Sequence, residues 1–294
     1  MSTWQVIVNP SAGKPGTVTH RVRDALDTRR IGYELAESAS STDVGRIVAE
    51  AAAGGARRFV SVGGDGTANA VVDALMRQPW DQPPTLGILP AGSGSDFIRT
   101  FGFPRDLESA ADHLSGDETY RVDVAHVSGP WGDRYVLNAA SAGLGAATVA
   151  VANKMPARLG SLRYSIGLWP ALARFRPGEI EVTVGAKGFT GPALTVVFAN
   201  GQFFGGGMNV APKASLVDGL FEVLVFSGPK RQAFTVMPRV MRGLHMRHPA
   251  VKRLVGDSFS LRTTTPWALE IDGELLGGAP IDGRMVPGAI NFKI

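Results

Sequence analysis

Apolar and polar positions fall into two regimes along the 294-residue chain. Over the first 118 or so residues, short apolar runs alternate with stretches whose apolar residues recur every three or four positions. Trp4 to Val8, Tyr33 to Ala36, Arg58 to Val62 and Thr85 to Leu89 read as strands, and the more continuous of these as strands buried on both faces. Between them lie helical stripes: Val18, Val22, Ala25 and Leu26; then Val44, Ile47, Val48, Ala51 and Ala52; then Ala68, Val71, Val72, Leu75 and Met76. A last stripe of Leu107, Ala110, Ala111 and Leu114 closes the series. Alternation of this kind predicts an α/β domain with a mostly parallel sheet, over residues 1–119.

From Thr119 the pattern changes. Strand-like runs at Tyr120 to Val127, Tyr135 to Ala139, Ile180 to Val184, Leu194 to Ala199, Leu220 to Phe226, Ser258 to Arg262, Trp267 to Ile271 and Ala289 to Lys293 follow one another between glycine- and proline-rich turns. Two helical insertions are expected, around Leu159 to Phe175 and around Lys230 to Leu244. The fold class is therefore two-domain, α/β plus β: an α/β domain with a mostly parallel sheet, then a β-sandwich-like domain with helical insertions over residues 120–294. The chain ends soon after its last β run, so a C-terminal segment that returns to the first domain is expected to be missing or minimal.

The turns between the early strands and helices carry the chemistry. Gly63-Gly64-Asp65-Gly66-Thr67 joins an apolar strand to a helix. Glycines there let a ligand approach the backbone, and the helix behind offers unsatisfied N–H groups and the positive end of its dipole. That is a geometry for phosphate. Asp65 is the discordant residue, since a carboxylate facing phosphate is repulsive unless a cation or a proton in flight lies between them. Pro90-Ala91-Gly92-Ser93-Gly94-Ser95-Asp96-Phe97 is a second glycine-rich turn after a strand, and Asn9-Pro10-Ser11-Ala12-Gly13-Lys14 leaves the first strand. Lys14 is a candidate phosphate ligand. None of these fits the P-loop pattern, and Gly92-Ser93-Gly94 lacks the third glycine and the later acid of a dinucleotide fingerprint.

Composition narrows the setting. There is no cysteine, which excludes disulfides, thiolate metal sites and a cysteine nucleophile and fits a reducing, cytoplasmic compartment. No stretch is apolar for long enough to span a bilayer, so membrane contact is expected to be peripheral. The net charge is +4, but the basic residues are concentrated. From Arg134 to Gly178, and again from Val223 to Gly256, there is no Asp or Glu, while thirteen Lys and Arg residues are present, Arg163, Arg174, Lys230, Arg231, Arg239 and Arg242 among them. These runs include the helical insertions, the first of which also carries Leu162, Ile166, Leu168, Trp169 and Leu172. An anionic lipid surface fits this better than nucleic acid, for which no recognition signature is present. Oligomeric state is left open, a homodimer included.

Taken together, Asn9-Pro10 with Gly13-Lys14, Gly63 to Thr67, Pro90 to Phe97, Gly205-Gly206-Gly207 with Ala211-Pro212, Asp218-Gly219 and Asp272-Gly273-Glu274 resemble, in order and spacing, the diacylglycerol kinase catalytic domain of soluble bacterial lipid kinases. Sphingosine and ceramide kinases are related, and NAD kinases share the Gly-Gly-Asp-Gly turn. The resemblance implies ATP and Mg2+ as cofactors, a lipid substrate at a membrane surface, and an ATP site between the domains. It implies Gly63, Gly64, Gly66, Thr67, Gly92 and Ser93 around the phosphates, with Asn9 and Lys14 alongside. Asp65, Asp96 and Asp123 would hold Mg2+ through water, which would answer the repulsion at Asp65. Asp272 matches the family's general base, with Glu274 beside it and Asp65 as the rival base. Asp218, with the backbone oxygens of Ser215 and Leu220, matches a second, structural magnesium site. Ser93 and Ser95 depart from the usual Thr and Asn. The alternatives to a diacylglycerol kinase are a kinase of a sphingosine-like lipid, phosphatidylglycerol or NAD, and a non-catalytic lipid- or nucleotide-binding regulator.

Overall fold

A computed structural model of the chain describes residues 3–13, 16–92, 95–156, 159–160 and 162–294. Lys14 and Ser93, both expected near phosphate, lie outside the described residues. The chain divides into two compact units, Met1–Val124 with Pro287–Ile294, and Ala125–Val286.

In the first unit, β1 (Trp4–Val8), α1 (Val18–Thr28), β2 (Tyr33–Glu37), α2 (Ser41–Ala53), β3 (Arg58–Gly63), α3 (Asp65–Met76) and β4 (Thr85–Pro90) alternate along the chain. The strands pair in parallel in the order β2-β1-β3-β4. Every residue of β1 is buried, as its unbroken apolar run requires of a central parallel strand. On α1, Val18, Val22, Ala25 and Leu26 fill a core with Val6, Val8, Val60 and Val62. Helix α2 starts where the Ser40 hydroxyl accepts the Asp43 N–H at 3.2 Å, a cap worth about 1 kcal/mol. Two short helices follow, α4 (Asp96–Arg99) and α5 (Leu107–Ala110). The single helix expected from Leu107 to Leu114 is α5 followed by a 3-10 turn over Ala111–Leu114.

Two strands cross the boundary between units, β5 (Thr119–Gly129) and β17 (Ile281–Lys293), the first and last of the elements numbered from here on. The expectation of a C-terminal return that is missing or minimal needs correcting. The end of β17 pairs in parallel with β4, Asn291 beside Thr85 and Phe292 beside Leu86. The Phe292 ring meets Phe97, Phe101 and Phe103 with centroids 5.1, 4.7 and 5.9 Å away. Lys293 is buried, and its ammonium donates to the backbone oxygens of Glu118 at 2.8 Å and Ile294 at 2.6 Å.

The second unit contains β6 (Gly132–Val136), β7 (Ala139–Gly143), α6 (Leu144–Ala152), α7 (Leu162–Arg174), β8 (Gly178–Val184), β9 (Lys187–Ala199), β10 (Phe203–Phe204), β11 (Met208–Asn209), β12 (Phe221–Ser227), α8 (Ala233–Val240), β13 (Val251–Gly256), β14 (Ser258–Thr263), β15 (Ala268–Ile271) and β16 (Glu274–Gly278). Its strands are antiparallel: β16-β15-β7-β9-β8-β14 and then the first part of β17, with β12 pairing β9 and β13. Strand β8 alternates buried Ile180, Val182 and Val184 with exposed Glu179, Glu181 and Thr183, as a sheet with one wet face demands. In the core, Phe198 stacks on Phe259 at 3.7 Å and Phe221 meets the same ring edge-on at 4.9 Å. This is the expected β-sandwich-like unit, with differences in detail. The run from Tyr135 to Ala139 is two strands, β6 and β7, and helix α6 was not foreseen.

The C-terminal strand is predicted to be part of the first unit's stability and no loose tail. Phe292→Ala removes a fully buried ring from its aromatic cluster and should cost about 3–5 kcal/mol in urea unfolding. A loss under about 1 kcal/mol would show the strand to be dispensable.

Candidate active site

The strand order β2-β1-β3-β4 reverses direction between β1 and β3, and in open α/β sheets ligands bind outside the carboxyl ends of the strands at such a point. Three expected loops meet there. The Asn9 amide, after β1, donates to the Thr67 hydroxyl in the first turn of α3 at 3.2 Å. A Cβ on Gly92, after β4, would lie 2.9 Å from the Gly64 Cα, so the two turns approach through backbone and position 92 has no room for a side chain. A side chain on Gly13 would meet the Ala91 oxygen at 2.7 Å. A Cβ on Gly63 would collide with Thr67. Gly64, the N-cap of α3, has no side chain to satisfy the first N–H groups of that helix, which leaves the crevice lined with backbone donors. Gly66 is exposed at its rim.

Asp65 spans two of these loops. Its carboxylate accepts the N–H of Asp96 at 2.9 Å and of Phe97 at 3.2 Å, and so caps α4 from a position 31 residues earlier. Burial pushes its pKa up, while those two N–H groups and the charge of Arg99 act the other way. Asp96 is buried and faces Arg99 at 3.2 Å. Asp123, also buried, accepts the Gly288 N–H at 2.7 Å.

In the second unit, Asp272-Gly273 is the two-residue turn between β15 and β16, with Ile271 opposite Glu274. Asp272 has φ +46° and Gly273 φ +88°, the left-handed pair that a tight hairpin requires. The Asp272 N–H points to the Ala139 oxygen at 3.4 Å. Glu274 is exposed. Beneath the turn lies a residue the sequence reading missed. Glu270 is fully buried, accepts the Ser141 hydroxyl at 2.8 Å and accepts the Gly273 N–H at 3.0 Å. At the expected second magnesium site, the Leu220 N–H donates to the exposed Asp218 carboxylate at 3.1 Å, an Asx turn, and Ser215 and Leu220 lie in the same loop.

Residues 3–127 match the diacylglycerol kinase catalytic domain, and residues 138–293 match the YegS C-terminal NAD kinase beta sandwich-like domain. A diacylglycerol kinase of Bacillus subtilis (strain 168) is 30% identical over 293 residues, 98% of this chain and 92% of that protein. The chain belongs to the diacylglycerol kinase catalytic domain family. It is a lipid kinase. The lipid kinase YegS of Escherichia coli (strain K12) is 29% identical over 255 residues, 86% of this chain and 83% of that one. A diacylglycerol kinase crystal structure from Bacillus anthracis str. Sterne has the same fold, with a TM-score of 0.75 at 20% identity, covering 99% of this chain and 96% of that one.

Two features of this lipid kinase bear on ligands. Among the described residues no three His, Cys, Asp or Glu side chains converge on one point, and Asp65, Asp96 and Asp123 each have a protein partner. Their oxygen chemistry suits magnesium carried with its own water and phosphate ligands more than direct chelation. On the second unit, Leu162, Ile166 and Trp169 lie along one face of α7 and are exposed, as are Phe234, Met241 and Leu244. Trp169 and Phe234 stack at 5.0 Å, and Lys230 ties the two segments by donating to the Ala173 oxygen at 3.0 Å. Among the described residues, no helix is long and apolar enough to cross a membrane.

Glu270 generates a test of its own. Burial raises its pKa from 4.5 to about 7, against the pull of its two hydrogen bonds. The folded state therefore holds this proton more tightly than the unfolded one. The group costs nothing below about pH 4.5, costs progressively more up to about pH 7, and a constant amount of roughly 3 kcal/mol above that. Glu270→Gln abolishes the ionisation, so its stability relative to wild type should improve by about 2 kcal/mol between pH 5 and pH 8. Parallel unfolding midpoints at both pH values would show that the buried carboxyl does not titrate in this range.

Proposed function

We propose that this lipid kinase transfers the γ-phosphate of ATP, bound as its magnesium complex, to the hydroxyl of diacylglycerol, giving phosphatidic acid. The observation that carries the reading is the backbone-lined crevice of the first unit, in which the loops after β1, β3 and β4 converge at glycines too crowded for any side chain. Gly63, Gly64, Gly66, Thr67 and Gly92 would receive the phosphates, with Asn9 orienting Thr67 and with Lys14 and Ser93 contributed by the same loops. Magnesium, held through water by Asp65, Asp96 and Asp123, would neutralise charge on the phosphate oxygens. The second unit supplies the acceptor chemistry. Asp272 orients the lipid hydroxyl and takes its proton, Glu274 lies beside it, and the hydroxyl oxygen forms the new P–O bond as the bond to ADP breaks. The name of the Bacillus subtilis relative supports diacylglycerol as acceptor.

The exposed apolar face supports a peripheral mode of membrane contact. Arg174, Arg231, Arg239 and Arg242 are exposed near it in sequence, in stretches that contain no acid. Each cation near an anionic bilayer contributes about 1 kcal/mol, and the stacked Trp169 and Phe234 would enter the headgroup region.

The acceptor is tested with labelled ATP and Mg2+ against micelles of diacylglycerol, monoacylglycerol, sphingosine, ceramide and phosphatidylglycerol, and against NAD without lipid. Label is expected on diacylglycerol, and Asp272→Asn should lower turnover by roughly 100- to 10,000-fold with ATP affinity kept. Label on NAD or another lipid replaces the acceptor, and an Asp272→Asn variant at half activity removes Asp272 from the reaction.

Membrane contact is tested separately. The double variant Trp169→Ser, Phe234→Ser should bind phosphatidylglycerol-containing vesicles at least tenfold more weakly, since each ring is worth about 1.5–3 kcal/mol when buried. Unchanged vesicle affinity would leave the apolar face without a role in docking.

A further inference from the structure

We propose that Glu270 is a positioning residue, whose carboxyl group clamps the Asp272-Gly273 turn to strand β7 and so fixes the direction of the Asp272 carboxylate. The inference rests on the reading of Asp272 as the group that takes the substrate's proton.

A glutamate with no exposed surface needs a reason to be where it is, because burying a carboxyl costs several kcal/mol unless its oxygens find partners. Glu270 spends one oxygen on each of two neighbours. Its register partner across the sheet is Ser141 on β7, whose hydroxyl donates to Oε1 at 2.8 Å. Its other oxygen reaches forward along its own chain to accept the Gly273 N–H at 3.0 Å. The side chain thus joins the turn to the adjacent strand, and the Asp272 N–H adds a longer contact to the Ala139 oxygen on the same strand at 3.4 Å. Tyr164 on α7 closes the other side: its hydroxyl lies 3.2 Å from where a Gly273 side chain would begin.

This matters at Asp272 because that residue holds φ +46°, the left-handed backbone of a tight Asp-Gly turn, and the direction of its side chain follows the orientation of the turn's central peptide. A two-residue turn held only at its ends can relax by rotating its central peptide. With Gly273 fixed through Glu270, that rotation would break a partly buried hydrogen bond. Misplacing a reacting group by about 1 Å can lower turnover a hundredfold. Either protonation state of Glu270 serves, because the Gly273 N–H needs only an oxygen acceptor and the Ser141 hydroxyl can donate or accept.

The test compares Glu270→Ala, Glu270→Gln, Asp272→Ala and the double variant Glu270→Ala, Asp272→Ala, each assayed with labelled ATP and the micellar lipid panel. Glu270→Gln keeps an oxygen for Gly273 and should retain kcat within about threefold at every pH. Glu270→Ala should lose roughly 10- to 100-fold in kcat with the KM values for ATP and lipid within twofold. On the Asp272→Ala background the same change should do almost nothing more, because the two residues act as a unit. Amide exchange at Gly273, slow in wild type and Glu270→Gln and fast in Glu270→Ala, reads the clamp even where activity is too low to measure. Wild-type kcat in a folded Glu270→Ala, alongside an inactive Asp272→Ala, overturns the role of Glu270 alone. Activity retained in Asp272→Ala instead removes Asp272 from the reaction, and with it anything for Glu270 to position. A Glu270→Gln variant as impaired as Glu270→Ala would show that the charge is used and not the clamp.

Discussion

The first unit is built around a contact between two backbones. Gly92 and Gly64 approach so closely that a single methyl group on Gly92 would lie 2.9 Å from the other turn. The contact follows from the pairing of β3 with β4, in register up to Gly63 beside Pro90, which delivers the two turns side by side. Asp65 then joins them chemically by accepting the first N–H groups of α4. A short four-residue helix has little stability of its own, and a cap supplied from another loop sets both its start and its direction. Everything that distinguishes the crevice from an ordinary βα turn depends on this arrangement: the uncapped start of α3, the amide of Asn9 on Thr67, and the half-buried acid at a place where phosphate is expected.

Buried and half-buried carboxylates recur through the chain, and each is used differently. Asp65 holds two loops together, Asp123 holds the Gly288 N–H of the returning strand, and Glu270 holds a hairpin turn. The common element is a backbone N–H at 3.2 Å or less, the partner that lets a carboxyl remain inside the protein. The balance is close. At Asp65 and Glu270 the desolvation cost outweighs the hydrogen bonds and raises the pKa of both groups.

Where local pattern determined structure, the sequence was legible. The apolar run before Gly63 and the helical stripe after Thr67 placed that turn correctly, and glycine pairs marked the neighbouring loop. What stayed hidden depended on contacts remote in sequence or on patterns without contrast. Asn9 and Thr67 are 58 residues apart, and nothing in either neighbourhood announces their bond. The residues of α6, Leu144 to Ala152, are almost all apolar, so no stripe stands out, and β7 is a run of Ala, Ser and Gly with neither alternation nor bulk. Glu270 sits in Ala268-Leu269-Glu270-Ile271, where alternation assigns it to solvent. Three successive residues of β15 are buried instead, and the glutamate is satisfied by Ser141, 129 positions away. Strand β17 concealed the division into units because its composition does not change where its partner does.

Helix α7 inverts the usual rule for amphipathic helices, and the inversion has a steric cause. Its inward face is made of Gly167, Ala171 and Leu172, and a Cβ at Gly167 would lie 3.3 Å from the backbone of α6 at Thr148 and Ala152. Packing that close admits Gly167 and Ala171 at the contact, and of the large residues Leu172 is buried while Leu162, Ile166 and Trp169 face outward. A helix required only to cover a core would carry its bulk on the other side. Exposed Leu, Ile and Trp at i, i+4 and i+7, stacked against Phe234 of α8, form an apolar surface that water does not favour and a bilayer interface does. The same helix places Tyr164 beside Gly273, its hydroxyl 3.2 Å from where a side chain there would begin, so the segment with the exposed apolar face also approaches the turn that carries Asp272.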